Sequence, residues 1–186
     1  MPGWVWVLIA VVVVIVFVAA WGAWRRRRTA GLKTQFGSEY DRTVTEAGGR
    51  RAAESELDAR RKRRAALDIR ALDPAAREGY TVRWQQVQGR FVDGPAGAVT
   101  EADELVQEVM RARGYPVEDF AQREADISVD HPQVVENYRA AHAISLANAH
   151  DQAGTEDLRQ AMVHYRALFQ ELLEGGTDQQ RRAEVR

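Results

Sequence analysis

Residues 4–24 read WVWVLIAVVVVIVFVAAWGAW, twenty-one consecutive residues without a charged side chain. An α-helix rises 1.5 Å per residue, so this stretch reaches about 31 Å, the hydrocarbon thickness of a bilayer. The middle is mainly valine and isoleucine, and tryptophan, which prefers the headgroup level of a membrane, stands near both ends at Trp4, Trp6, Trp21 and Trp24. The stretch predicts a transmembrane helix at 4–24, preceded by a short N-terminus at 1–3.

The apolar stretch is followed directly by four basic residues, Arg25, Arg26, Arg27 and Arg28. Basic residues beside a span stay on the cytoplasmic side, because moving them across the bilayer is costly. We therefore predict a single-pass protein of the cell membrane, with its N-terminus outside and its soluble part in the cytoplasm. These arginines and the four tryptophans are the predicted membrane-interface residues.

A cleaved secretory signal is the alternative interpretation, with a processing site at Val18-Ala19-Ala20 and an exported product. The residues before the apolar stretch include no Lys or Arg, and the stretch is longer than a usual signal core. Arginines directly after it also oppose export. These features favour an uncleaved anchor.

The net charge of −1 conceals a division along the chain. Residues 25–72 hold 14 Lys and Arg against 7 Asp and Glu, a net of +7, and residues 73–186 hold 12 against 20, a net of −8. An anionic membrane surface attracts the first set and repels the second. The chain has no cysteine, which excludes disulfides and cysteine-ligated metals.

Residues 25–72 are predicted to form a basic juxtamembrane linker and a charged helical stalk. The stretch 29–36 has no apolar periodicity and is interpreted as a linker, whereas 50–67 contains strong helix formers with few large apolar residues. Such a helix is typical of a spacer that bridges through solvent. Its basic run is a candidate for anionic-lipid contact or, alternatively, a solvated face: Arg60, Arg61, Lys62, Arg63 and Arg64. The run has no interleaved aromatic residues, so we do not expect nucleic-acid binding.

Residues 73–174 are predicted to form an antiparallel bundle of four to five helices. Asp73-Pro74 is a helix start signal, and the apolar residues that follow it recur at spacings of three and four: Ala76, Tyr80, Trp84, Val87 and Phe91. Asp93-Gly94-Pro95 ends that helix. A second stripe runs through Ala98, Ala102, Leu105, Val109 and Ala112 and stops at Gly114.

The rest of the bundle is predicted from the same periodicity. A short helix covers 117–127, and Asp130-His131-Pro132 is the predicted entry to a helix with Val135, Tyr138, His142, Ser145 and Ala149 on one face. Thr155 is the predicted cap of the last helix, which ends at Gly175-Gly176 before a flexible tail at 175–186. No stretch after residue 24 alternates long enough for a strand, so the predicted fold class is all-α.

No catalytic, cofactor-binding or metal site is predicted. The histidines lack the spacing of a zinc site, which usually has three or four ligands, and no glycine-rich nucleotide loop or nucleophile elbow is present. Asp126, Asp130 and His131 lie close in sequence and could indicate acid–base or metal chemistry. Helix capping by Asp130 explains that grouping more simply.

Three segments resemble a family of uncharacterised single-span actinobacterial membrane proteins. They are 36–42 (FGSEYDR), 84–93 (WQQVQGRFVD) and 113–116 (RGYP). The resemblance implies the same layout of an anchor and a soluble domain, and it implies no activity.

The expected function is therefore that of a membrane-anchored helical interaction or scaffold protein with an unknown protein partner and no catalysis. The alternatives are an enzyme or small-ligand binder in the bundle core, and an exported protein. The sequence leaves the oligomeric state undetermined.

Overall fold

The structure is a computed structural model that describes the backbone of residues 3–184 and the side chains of residue 4 and residues 12–175. Within 3–184 the chain forms eight α-helices and no strand, which confirms the predicted all-α class. The helices are α1 (Gly3–Phe36), α2 (Ser38–Glu46), α3 (Arg50–Ala65), α4 (Pro74–Arg90), α5 (Pro95–Arg113), α6 (Phe120–Asp130), α7 (Val135–Ala149) and α8 (Thr155–Glu184).

The chain divides into two compact units, Met1–Leu57 and Asp58–Arg186. The division falls inside α3, earlier in the chain than the boundary predicted between residues 72 and 73. Each half of α3 therefore belongs to a different unit.

The first unit contains α1, α2 and the first half of α3. The predicted linker at 29–36 is instead the last part of α1, because Leu32 and Phe36 lie one turn apart on a face that is buried. Tyr40 of α2 and Leu57 of α3 are buried as well. Gly37 separates α1 from α2 and has a φ of 52°, a conformation that glycine adopts without strain.

The predicted helix at 50–67 corresponds to α3, but α3 is not solvated on all sides as a spacer would be. Ala53 and Leu57 are completely buried, and Glu54 and Asp58 are 6% and 7% exposed. The few apolar residues of this charged helix lie four apart, which is enough to make one buried face.

The second unit is a bundle in which α5 and α8 lie side by side. Arg83 pairs with Glu108 at 2.5 Å and Arg90 with Glu101 at 3.1 Å, so α4 and α5 run antiparallel. His164 contacts Asn137 at 2.9 Å and Glu171 contacts His131 at 2.8 Å, so α8 also runs antiparallel to the α6–α7 region.

The bundle core confirms the predicted stripes of α4 and α5, and α8 packs against them. Trp84 is 5% exposed and stacks on Phe169 with ring centroids 4.7 Å apart. Leu105 and Val109 of α5 and Tyr165 of α8 are essentially inaccessible. At the start of α4, Asp73 accepts a hydrogen bond from the Ala76 amide at 2.8 Å, which confirms the predicted cap.

The end of α5 is fixed by Gly114, which has a φ of 97°. A Cβ atom at this position would lie 2.4 Å from the backbone oxygen of Asp68. Only glycine fits there without movement of the backbone, and this close approach places the 66–73 connection against the end of α5.

The bounds of three bundle helices, α6, α7 and α8, differ from the prediction. The short helix predicted at 117–127 is α6 at Phe120–Asp130, and the next helix begins at Val135 rather than after Asp130. The last helix does not end at Gly175 but continues to Glu184, where the prediction placed a flexible tail. The absence of a side chain at Gly175 allows contact with His131, since a Cβ there would lie 2.4 Å from the imidazole Cε1.

Candidate functional site

The predicted membrane-interface residues lie on one continuous helix, α1. The side chains of Trp4, Phe17, Trp21 and Trp24 are more than half exposed, at 63%, 73%, 53% and 56%. Trp6 and the rest of 5–11 are outside the described side chains, so part of the predicted span at 4–24 falls on residues of which the structure describes the backbone alone. Within the described residues, no helix has both the length and the apolar content required to cross a bilayer.

Two of the four arginines that follow the apolar stretch stack on its tryptophans. The Arg25 guanidinium lies 5.8 Å from the Trp21 ring centroid, and Arg28 lies 5.8 Å from that of Trp24. Each pair is spaced by four residues, which places the two side chains on the same face of α1. Such cation–π contacts hold each guanidinium beside its tryptophan ring.

One of these faces borders a groove of about 550 Å³ within the first unit. We call it the basic groove; its lining residues are Trp21, Gly22, Arg25, Arg26, Thr29, Ala30, Lys33 and Arg50. Three of its cations come from α1 and the fourth, Arg50, comes from the start of α3. None of these lining residues is acidic, so the groove combines four positive charges with an apolar wall.

The groove depends on a buried carboxylate, that of Glu54. Its Oε1 atom accepts hydrogen bonds from the Thr29 hydroxyl of α1 at 2.7 Å and from the Tyr40 hydroxyl of α2 at 3.1 Å. Burial and the Glu54 carboxylate raise the pKa of Tyr40, so its hydroxyl remains a donor. Because Arg50 lies one turn before Glu54 on α3, these bonds place Arg50 beside α1.

The basic side chains of the second segment, 60–64, mainly contact other side chains of the second unit. Arg60 donates to the Ser128 hydroxyl at 3.3 Å, Arg63 pairs with Asp126 at 3.2 Å, and Arg64 pairs with Asp130. Three of the five basic residues therefore contact α6 within the second unit.

The other two basic residues of this segment remain exposed. Arg61 pairs with Asp58 at 3.0 Å, and Lys62 lies on the surface. Lipid contact by the segment 60–64 stays a prediction, with most of its charge already matched by carboxylates.

Asp130 and His131 belong to a buried polar cluster, and Asp130 does not cap the next helix as predicted. Its carboxylate accepts the Tyr115 hydroxyl at 2.6 Å in addition to the bond from Arg64. Asp130 is the last residue of α6, and the next helix begins only at Val135. The carboxylate joins α3 and the connection after α5 to the end of α6 instead of capping a helix.

His131 connects Glu171 to Arg113. Its Nδ1 atom lies 2.8 Å from the Glu171 carboxylate and its Nε2 atom 3.5 Å from a guanidinium nitrogen of Arg113. Burial is the main cause of the lowered His131 pKa, and the guanidinium contributes, so the ring is neutral with Nδ1–H donating and Nε2 accepting. The buried Arg113 also donates to the Leu172 carbonyl at 2.8 Å, and burial lowers its pKa.

The other histidines are separated from one another. His142 stacks on Phe120 at a centroid distance of 3.7 Å, His150 contacts the Leu146 carbonyl, and His164 contacts Asn137. Among the described residues, no three His, Asp or Glu side chains converge as a metal site requires.

Sequence reasoning missed three polar groove residues outside 25–28, namely Thr29, Lys33 and Arg50, and it missed the Glu54 carboxylate that accepts the Thr29 hydroxyl. One signal was available: residues 21, 25, 29 and 33 recur every fourth position on a single helical face. The contribution of α3 had no local signal, because it depends on hydrogen bonds between residues 14 and 25 positions apart.

Comparisons of the chain with protein-family models, with curated proteins and with solved structures give no match. The resemblance to actinobacterial single-span proteins therefore stays a prediction. The function has to be inferred from this chain's own residues.

Proposed function

We propose that the protein is a membrane-anchored helical adaptor, with the apolar half of α1 inserted in a bilayer and the bundle available to a protein partner. The observation that carries this proposal is the uncharged stretch at 4–24, which has tryptophan near both ends and lies within one helix. The large side chains described in it, including Phe17, are more than half exposed. Exposed apolar surface of this extent favours contact with lipid over contact with water.

The charge distribution supports the orientation. Four arginines stand directly after the stretch, and two of them stack on interface tryptophans. Such residues remain on the cytoplasmic side, so the proposed location of both α3 and the bundle is the cytoplasm.

The interior polar groups of the bundle support a structural role for its core, which leaves the bundle surface for a partner. Arg113, His131 and Glu171 contact one another and the backbone in the interior.

The anchor is tested by alkaline carbonate extraction of membranes that contain the full chain. We compare V14R/V16R, which places two charges in the apolar stretch, with V92R/V163R, which places the same charges at exposed positions of the bundle. The wild type and the bundle variant should remain in the membrane pellet, and V14R/V16R should be released. Extraction of the wild type, or a mature chain that begins near Trp21, would contradict the proposal.

The adaptor role is tested by crosslinking in intact cells. The full chain should crosslink to a protein in stoichiometric amount, and a chain with the bundle unfolded by Trp84→Asp should not. If the same proteins crosslink equally to both chains, the anchor alone recruits them and the bundle is not a binding module.

A further inference from the structure

We propose that the basic groove binds a phosphate group, as carried by the headgroup of an anionic glycerophospholipid or by a free phosphate ester. The lipid source rests on the proposed membrane anchor, whereas phosphate recognition itself does not. The groove lies next to the interface tryptophans and carries four cations on two helices. A predicted contact between 25–28 and lipid would involve α1 alone, whereas this site also requires α3.

The position of the groove along α1 fits the headgroup layer. The polar layers add roughly 5–7 Å on each side of the hydrocarbon core. Arg25 lies four residues beyond Trp21, a rise of about 6 Å along the helix. With Trp21 at the edge of the hydrocarbon, Arg25 and Arg26 therefore stand at the level of lipid phosphates, whereas Lys33 lies about 18 Å beyond Trp21 along the helix.

The side chains of the groove suit a phosphate chemically. Guanidinium groups donate pairs of parallel hydrogen bonds to phosphate oxygens, and a lysine ammonium adds a compact charge. Arg25, Arg26 and Arg50 supply the guanidinium groups, and Lys33 supplies the ammonium. Gly22 and Ala30 are small and leave room along the wall, so the volume of about 550 Å³ accommodates a glycerol phosphate as well as the anion.

The groove is held in shape before any ligand binds. Thr29 and Tyr40 both donate to Glu54, which brings α1, α2 and α3 together, and Lys33 lies 5.2 Å from the Tyr40 ring centroid. The ordering of Arg50 beside α1 therefore precedes binding, which lowers the entropic cost of capturing an anion.

Segment 60–64 is the competing site, and its electrostatics disfavour it. Asp58, Asp126 and Asp130 already pair with Arg61, Arg63 and Arg64. An incoming phosphate would have to displace these carboxylates. In the basic groove, none of the lining residues is acidic.

The test uses the full chain in nanodiscs and measures retained phospholipids by native mass spectrometry. The discs contain phosphatidylcholine alone or with phosphatidylglycerol. The groove variant is R26E/R50E, and the matched control is R27E/R51E, which makes the same charge change one position away at two exposed residues that do not line the groove. A milder variant, R26Q/R50Q, covers the case in which R26E/R50E fails to fold, as judged by circular dichroism.

We expect the wild type to retain phosphatidylglycerol in preference to phosphatidylcholine. The ratio of the two retained lipids should fall at least tenfold in R26E/R50E and should stay within twofold of the wild-type ratio in R27E/R51E. R26Q/R50Q should fall between them. An equal loss in R26E/R50E and R27E/R51E would mean that only diffuse charge attracts the lipid, and it would overturn the proposal. No preference in the wild type, together with no response to soluble phosphate, would overturn it as well.

A second arm separates the two sources of phosphate. The chain in phosphatidylcholine discs is titrated with glycerol 3-phosphate and with inorganic phosphate, and the change in Trp21 fluorescence is followed against a Trp21→Phe variant. Saturation by the soluble anions, lost in R26E/R50E, assigns the site to free phosphate esters. Phosphatidylglycerol retention without such saturation assigns it to lipid.

The same samples distinguish failure of the anchor from failure of the groove. A chain that does not co-purify with phosphatidylcholine discs contradicts the proposed anchor. Phosphate binding by that chain in detergent would still support the groove, whereas a chain that enters the discs and binds neither phosphate source contradicts the groove alone.

Discussion

The two arginine-rich segments of this chain carry the same local sequence signal and are used in opposite ways. In the first unit, Arg25, Arg26 and Arg50 line a groove without an acidic lining residue. In the second unit, Arg63 and Arg64 pair with Asp126 and Asp130 of α6. A basic run whose side chains form ion pairs within the fold has less charge left for a ligand. For Arg63 and Arg64 in segment 60–64, the carboxylates that form these pairs lie more than 60 residues away in the sequence.

The largest effect should follow from Gly114→Ala, which tests how firmly the connection after 60–64 is held against α5. The new Cβ would lie 2.4 Å from the Asp68 oxygen at a φ of 97°. We expect a loss of about 3 kcal/mol or more in the free energy of unfolding, from backbone strain together with overpacking. Urea denaturation measures it, with Gly97→Ala, where nothing lies within 4 Å, as the control. Equal stability of both variants would show that the connection is not tightly held.

The next effect is that of Asp130→Asn, which removes the charge partner of Arg64. Both side chains are about 15% exposed, and the Tyr115 hydroxyl also donates to this carboxylate. Leaving a mostly buried guanidinium unpaired should cost about 2 kcal/mol. Thermal and urea unfolding give the value. Glu156→Gln, which removes a partner of Arg159 at the surface, serves as the control and should leave the stability unchanged.

Acidification should then distinguish the two units, since all four histidines lie in the second. The pKa of His131 is lowered from 6.5, chiefly by burial, and that of His142 is lowered as well. Between the folded pKa values and 6.5 the unfolded chain binds more protons, so unfolding becomes easier as pH falls below about 6.5. Each histidine contributes at most about 1.4 kcal/mol per pH unit in that window and nothing above it.

Denaturation at pH 7.5 and pH 5.5, followed by Trp84 fluorescence in a chain with the other tryptophans replaced by Phe, measures this effect. His131→Gln should reduce the dependence on pH. A bundle whose stability does not change over this range would show that His131 is protonated as easily in the folded chain as in the unfolded one.

The smallest effects concern the two hydroxyls that donate to Glu54. Thr29→Val and Tyr40→Phe each remove one donor to Glu54 and should each cost about 1 kcal/mol in the first unit. Thr34→Val, which removes only an exposed bond to the Ala30 carbonyl, should cost less. A double-mutant cycle on Thr29 and Tyr40 measures their coupling through the shared acceptor. Strictly additive changes would argue against a common role for Glu54.

Local periodicity predicted the parts of the fold that depend on local burial. The apolar residues of α4, α5 and α8 repeat at helical spacing, and Asp73 caps α4 as its sequence indicates. The boundaries that were wrong depend on distant residues. The Asp130 carboxylate accepts hydrogen bonds from Tyr115 and Arg64 and does not cap a helix. The helix α8 continues past Gly175, where that glycine lies against His131.

The candidate site was predictable only in part for the same reason. The tryptophans and Arg25 to Arg28 are adjacent in sequence, so their shared position was evident. Arg50 lies at the groove because the nearby Glu54 is buried and accepts hydroxyls from two other helices. Glu54 stands in a polar stretch of sequence, and nothing in that stretch indicates that its side chain is buried.

Because α1 is continuous from Gly3 to Phe36, the side of the helix on which the groove lies is fixed relative to the apolar residues. Without a break between Trp24 and Lys33, the angular position of each cation on α1 is set by the apolar half of the same helix. Insertion of one alanine after Arg28 would rotate Thr29 and Lys33 by about 100° relative to Trp21 and displace them by about 1.5 Å. Insertion of seven residues, close to two full turns, would restore the angle while moving the cations about 10 Å along the axis.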